Sequence, residues 1–384
     1  MAHNQGILLY TDKSSSYKSL EEIEQLHLLG GIQSQAKLFA YTDELAEGLD
    51  KFRTLFPEEY QLCKHVRKKG ETHYELQKIS PVFNTKVLYE MPDSIASLQK
   101  HLCDQGYVLI RLSKPLDERQ LLKLIGGEDE LLDYRNGLNQ RDEMPGSIFS
   151  YVTQWSPSSE ILPHNELSHH PVFPRWVCFF SKTPAEYGGE TTLFDCAQAF
   201  EKLSHTTQQE LLSEDIIFIR QHPLNASDLS KQSVNQKITY WENAGYECKL
   251  ISETVNGELC EFIETRLARP MVYYHKGQAC LHASIVGVAA YWYRSVMPDQ
   301  KPQLVLQWKH GSPFPDVKFR ELEEAVKSAR IFYCNHPQAN DLIILDNLRI
   351  AHGRTPFIGN RAVGILMSGS ASFSFESCRW QTCL

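Results

Sequence analysis

The sequence has no run approaching the roughly 18 consecutive apolar residues that a membrane helix needs. Its first residues, MAHNQGILLYTDKSSS, turn polar after Tyr10 without the apolar core of a secretory leader. A membrane partner is therefore not expected, and the cytoplasm is the default location. An excess of basic charge is missing too. Lys and Arg number 39 against 47 Asp and Glu, the net charge is −8 and the pI is near 6.0. A nucleic-acid surface would be basic, so nucleic acid is not expected as a partner. None of the ten cysteines falls in a Cys-x-x-Cys pair, and their scatter suits reduced, buried or idle thiols better than a disulfide framework or a zinc array. There is no Gly-x-Gly-x-x-Gly, no phosphate-binding loop and no Gly-x-Ser-x-Gly elbow. There is also no internal repeat and no low-complexity tract. Self-association into a homo-oligomer stays open.

What is present is ordinary for a soluble globular chain: 384 residues, 42% hydrophobic and 22% charged. The first 80 or so residues read as an accessory segment packed on a main domain that runs from 81 to 384. Within that segment, residues 1–16 suggest a strand and loop. Ser19 to Gly30 and Asp43 to Arg67 carry apolar residues at three- and four-residue steps, which predicts helices, the second interrupted by Pro57. Beyond Pro81, helices are predicted from Asp93 to Gly106, capped by Asp93 or Ser94, from Leu116 to Ile125, after Asp195, and from Glu321 to Ser328. A polar stretch with isolated aromatics, about 225–265, reads as a helical insert. Strands are predicted at Tyr107–Leu112, Arg175–Lys182, Ile216–Arg220, Leu342–Leu345, Arg349–His352 and Ala362–Met367. Short strands with helices between them predict a mainly β fold with inserted helices, a sandwich or barrel and not an alternating βαβ sheet.

The chemistry centres on Leu162 to Leu193, which opens with His164-Asn165-Glu166 and closes with Gly188-Gly189-Glu190-Thr191. If residues 163–167 are extended, His164 and Glu166 share a face and Asn165 points away. One imidazole and one carboxylate then need a second imidazole to hold a metal on one side and leave the other side open, the arrangement of non-haem Fe(II) oxygenases. Alone, His-x-Glu is more often a surface or hydrogen-bonded feature than a ligand pair, since the chain has 15 histidines.

The context narrows this. LPHNELSHHPVFPRWVCFFSKTPAEYGGETTLFD, followed far downstream by ILDNLRIAHGRTPFIGNRAVGILM, resembles the TauD/TfdA (taurine dioxygenase) family of Fe(II)- and 2-oxoglutarate-dependent oxygenases. The likeness is to the branch with glutamate as the metal carboxylate, which includes asparagine and arginine oxygenases. The resemblance implies a double-stranded β-helix (jelly-roll) core and the cofactors Fe(II), 2-oxoglutarate and O₂. It implies His164, Glu166 and His352 as iron ligands. Thr191 and Arg361 match the residues that hold the far carboxylate of 2-oxoglutarate, and an arginine suits that role as a planar, always-charged fork. Many members carry a further arginine where this chain has Val363-Gly364-Ile365-Leu366-Met367, so Arg354 is a second candidate for the clamp. The loop Tyr134-Arg135-Asn136 and His169 are candidates for substrate contact, although a solvated loop and turn histidines account for them equally well.

The implied reaction oxidises an unactivated C–H bond, giving succinate and CO₂. Hydroxylation of an amino acid or of an aminoacyl group on a carrier protein is the first expectation. Glu166 argues against halogenation, which needs the carboxylate position empty. Desaturation, a non-catalytic ligand-binding jelly roll and a zinc hydrolase are the alternatives. The last gives Thr191 and Arg361 no task.

Overall fold

A computed structural model describes residues 87–132, 141–152, 161–167, 170–185, 187–224, 231–255, 257–275, 277–283, 304–333, 338–354, 357–358 and 360–372, together with the backbone of five strands between residues 6 and 78. The alternation of apolar side chains along strands decides the layering. Six strands form the larger sheet, in the order Val87–Leu88, Tyr107–Arg111, Asp341–Asp346, Val172–Thr183, Ala362–Ser372 and Ser150–Tyr151. Its ladders are antiparallel except that of Val87–Leu88 with Tyr107–Arg111. Every residue of Asp341–Asp346 is buried, as befits a strand covered on both faces.

The two faces separate by parity. Tyr107, Leu109, Val177, Phe179, Ile343, Leu345, Ile365 and Met367 pack with Leu193 and Ile350 of a facing sheet. Val108, Ile110, Cys178, Ile344 and Leu366 pack instead beneath the helices Ile95–Gln105 and Glu118–Leu124. Ser94 caps the first of these through the Ser97 N–H, and Asp117 caps the second.

The facing sheet is smaller: Arg330–Tyr333, Thr191–Asp195, Ile350–Arg354 and Ile161–His164. Its inner residues meet the larger sheet, while Phe194 and Ala351 turn outward onto a second core built around the helices Cys196–Glu201 and Asp316–Ser328. Two facing sheets with long connections between their strands form the jelly-roll core.

Two expectations are corrected. The predicted helix Asp43–Arg67 gives way at its end to the strand Tyr60–Val66, part of a five-stranded antiparallel sheet in the order Ser14–Ser19, Gly6–Thr11, Lys37–Ala40, Thr72–Lys78, Tyr60–Val66. The helix expected at Ser19 to Gly30 lies outside the described residues past Ser19. The insert at 225–265 is helical only over Lys231–Asn243. It continues as the hairpin Glu247–Val255 and Glu258–Arg269, which joins Ile216–Pro223 and Leu304–Trp308 in a further four-stranded sheet.

Candidate active site

The smaller sheet sets His164 and His352 side by side. They are cross-strand partners between Ile161–His164 and Ile350–Arg354, with ring centroids 4.5 Å apart. Phe179 of the larger sheet meets His352 edge-on at 4.8 Å, so the imidazole pair lies between the two sheets.

Glu166 arrives differently from the expectation. The strand ends at His164, and Asn165 to Leu167 form a turn in which Leu167 adopts a φ of +51°. A left-handed leucine is uncommon, and tertiary contacts hold it: Leu167 is buried in the inter-sheet core, and Asn347 grips the turn. The Asn347 Oδ1 accepts the Glu166 N–H at 2.8 Å. Its Nδ2 donates to the carbonyls of Glu166 at 3.1 Å and Pro174 at 2.9 Å. Asn165 points away from the site, donating to the Asn347 carbonyl at 2.7 Å and accepting from the Ala283 N–H at 2.9 Å.

The result is a convergent donor set. The Glu166 Oε2 lies 3.5 Å from Nε2 of His164 and 3.4 Å from Nε2 of His352. The other carboxylate oxygen, Oε1, accepts from Nη2 of Arg141 at 2.5 Å. Among the described residues, these three are the one group of histidine, cysteine and carboxylate side chains placed to hold a metal, their ligand atoms all within 4.8 Å of one another. Donors about 2.0–2.2 Å from a shared ion and at right angles stand about 3 Å apart, and the two imidazole–carboxylate separations exceed this by only a few tenths of an ångström. Two imidazoles and one carboxylate suit Fe(II).

Protonation states agree with ligation, which needs neutral histidine and ionised carboxylate. Nδ1 of His164 lies 2.8 Å from the Leu162 carbonyl, which fixes the proton there and leaves Nε2 free to coordinate. Burial, aided by the charge of His164, pulls His352 down to about 4 against the pull of Glu166. Burial alone would raise Glu166, but its charged and polar neighbours, the Arg141 guanidinium foremost, override it and hold the carboxyl well below its usual range.

The proposed co-substrate side adjoins this set. Thr191 is the direct cross-strand partner of Arg354, and both side chains are buried. The strand runs on through Gly353 to Arg354 in regular register with Thr191–Asp195, while its register with Ile161–His164 shifts between His352 and Arg354; Gly353 is needed because a Cβ there would collide with the Ile161 carbonyl oxygen. Arg354 therefore shares the His352 face, and burial draws its pKa down to about 10. Arg361, at the start of Ala362–Ser372, donates from Nε to the Gly189 carbonyl at 3.2 Å, two residues before Thr191. Gly189 has a φ of +74°, the left-handed turn that the glycine pair predicts.

Tyr134, Arg135, Asn136 and His169 lie outside the described residues. His170 is bonded to protein: its Nδ1 is 2.9 Å from the Tyr246 hydroxyl, and its carbonyl accepts from Nη1 of Arg269 at 2.5 Å. Beside it a crevice opens under Trp241, lined by Arg220, His222 and Tyr246. Sequence reasoning missed Arg141 and Asn347. Arg141 stands in the polar stretch NQRDEMPG and Asn347 in ILDNLRIAHG, and neither has a spacing that marks it.

Three comparisons bear on the chain. The family model described as Taurine catabolism dioxygenase TauD, TfdA family matches residues 75–367. The dapdiamide synthesis protein DdaC of Enterobacter agglomerans is 23% identical over 280 residues, covering 69% of this chain and 83% of that protein. Among solved structures, a taurine dioxygenase from Burkholderia xenovorans is 14% identical, covers 78% of this chain and 90% of its own, and has a TM-score of 0.45. AAD-2, solved with Mn(II) and N-oxalylglycine, is 13% identical, covers 81% and 99%, and has a TM-score of 0.43.

Proposed function

From a chain that belongs to the TauD/TfdA family, and is thereby an Fe(II)- and 2-oxoglutarate-dependent dioxygenase, we propose a finer reading: it hydroxylates an amino acid or a carrier-bound aminoacyl group. His164, Glu166 and His352 hold the iron in this reading. Thr191, with Arg361 and Arg354, holds the far carboxylate of 2-oxoglutarate.

The observation that carries the site is the convergence of the three donors between the sheets. The amino-acid reading rests on glutamate as the carboxylate and on the likeness to a protein named for dapdiamide synthesis. When bound, Fe(II) with 2-oxoglutarate and O₂ supplies the oxidant, and succinate and CO₂ leave. The chain's own part is placement. Neutral imidazoles and an ionised carboxylate present lone pairs without a proton to displace. Buried Arg354 and half-buried Arg361 offer a dianion fixed positive charge in a medium where charge acts more strongly than in water. Phe179, edge-on to His352, and Leu193, its cross-strand neighbour, give that imidazole apolar surroundings, which favour excluding water from the reaction.

The test is anaerobic titration of the Fe(II)-loaded protein with 2-oxoglutarate, followed by O₂. A weak visible charge-transfer band and then succinate are expected, and the absence of both overturns the oxygenase reading. His352→Ala should abolish both signals. Arg361→Ala and Arg354→Ala should keep the metal and weaken 2-oxoglutarate binding by about tenfold or more, the loss of a charge-assisted bond worth about 1.4 kcal/mol. A panel of amino acids read by succinate release tests the substrate class. No stimulation by any of them, free or carrier-bound, overturns it.

A further inference from the structure

We propose that Arg141 is a positioning residue of the metal centre: it occupies one oxygen of Glu166, so that the carboxylate gives the metal one oxygen and not two. This rests on the metal site proposed above.

The geometry divides the carboxylate cleanly. Oε1 is taken by Nη2 of Arg141 at 2.5 Å, and Oε2 faces the two Nε2 atoms at 3.4 and 3.5 Å. The ion pair is buried, with side-chain exposures of 6% for Arg141 and 4% for Glu166. Arg141 also lies against the Sδ of Met367, 3.9 Å from Nη1, on the inner face of the larger sheet. Removing a buried partner would leave Oε1 with no charge to meet, so the arrangement holds the carboxylate in one orientation.

A carboxylate can bind one ion through one oxygen or both. On an octahedral ion, two imidazoles and a single oxygen fill three positions and leave three. A chelating co-substrate takes two of these and O₂ takes the third. A carboxylate bound through both oxygens would leave two positions, too few for both. Arg141 thus secures the open position. It does so at a cost in metal affinity, because a guanidinium paired to the carboxylate makes it a poorer donor and adds a like charge beside the ion.

The consequence is an effect of opposite sign on two ligands. In Arg141→Leu, Mn(II) should bind the apoprotein as tightly as in wild type or more tightly. Binding of 2-oxoglutarate to the Mn(II)-loaded protein should weaken by about tenfold or more, the scale on which partners of metal ligands act. Difference infrared spectra, Mn(II)-loaded minus apo, read the carboxylate directly. The splitting between antisymmetric and symmetric stretches should be wide in wild type and narrow in the variant. A purely packing role would weaken Mn(II) and 2-oxoglutarate together. A role as a clamp for the organic substrate would leave both constants and the infrared splitting unchanged. Either outcome overturns the inference. If Arg141→Leu does not fold, Arg141→Lys, which keeps the charge on a shorter stem without the planar fork, is measured in its place. A raised 2-oxoglutarate constant with an unchanged Mn(II) constant supports the inference, and two unchanged constants overturn it. A wild-type protein that binds no Mn(II) fails the metal reading itself, a result distinct from any of these.

Discussion

At the scale of single residues, the turn that carries Glu166 depends on a residue far from it in sequence. Asn347 is 181 positions from Glu166, yet it accepts from the Glu166 N–H and donates to the Glu166 carbonyl. Asn347→Ala strands three buried backbone groups at once. The expected cost is about 2–4 kcal/mol of stability, with Mn(II) affinity lower by about 10–100-fold. Urea denaturation and Mn(II) titration check both, and a variant with wild-type metal affinity would show that the turn is held by something else. His164, Glu166, Thr191 and His352 could be picked from the sequence because each stands in a compact motif with a stated chemistry. Arg141 and Asn347 could not, because their importance lies in one long-range contact each. Glu166 also comes beside His164 by a route the sequence does not offer: a turn, not strand alternation, brings it there.

At the scale of elements, amphipathic strands and capped helices of the core were legible because period and caps agreed. The insert was not. Glu247–Val255 and Glu258–Arg269 are joined across Asn256-Gly257, the dipeptide most typical of a two-residue hairpin. The alternation that marks a strand is blurred there, since this sheet meets solvent and apolar residues such as Leu250 and Leu259 are exposed. The insert sheet should also be its own acid-labile element. His222, on Ile216–Pro223, stacks on Trp241 of the helix Lys231–Asn243, with ring centroids 4.8 Å apart. Burial, with the charges of Arg220 and His170, pulls its pKa from 6.5 to about 4. The folded state therefore favours neutral His222, while the unfolded chain takes up a proton near 6.5. The stability from this residue is full above pH 6.5 and is lost as pH falls through about 4. His222→Gln should flatten the fall of Tm between those values; a slope parallel to that of wild type would remove His222 as its cause.

At the scale of the whole molecule, the proposed site draws on Arg141, the turn at 164–166, Thr191, and the strands that carry His352, Arg354 and Arg361, so it exists only when both core sheets are assembled. Ligands that bind only this assembled state stabilise it, by about 2.7 kcal/mol at a hundred times the dissociation constant. The five strands between residues 6 and 78 pair only with one another among the described strands. The family match begins at residue 75, inside their member Thr72–Lys78. If residues 1–80 form a unit separate from the oxygenase core, the two should answer differently to ligand. Scanning calorimetry should then resolve two transitions. Mn(II) should raise the one belonging to the core, 2-oxoglutarate should raise it further, and the other should stay fixed. His352→Ala should remove the shift without moving the second transition. One cooperative transition that rises as a whole with Mn(II) would mean that the N-terminal sheet unfolds with the core, and the division at residue 80 would have to be given up.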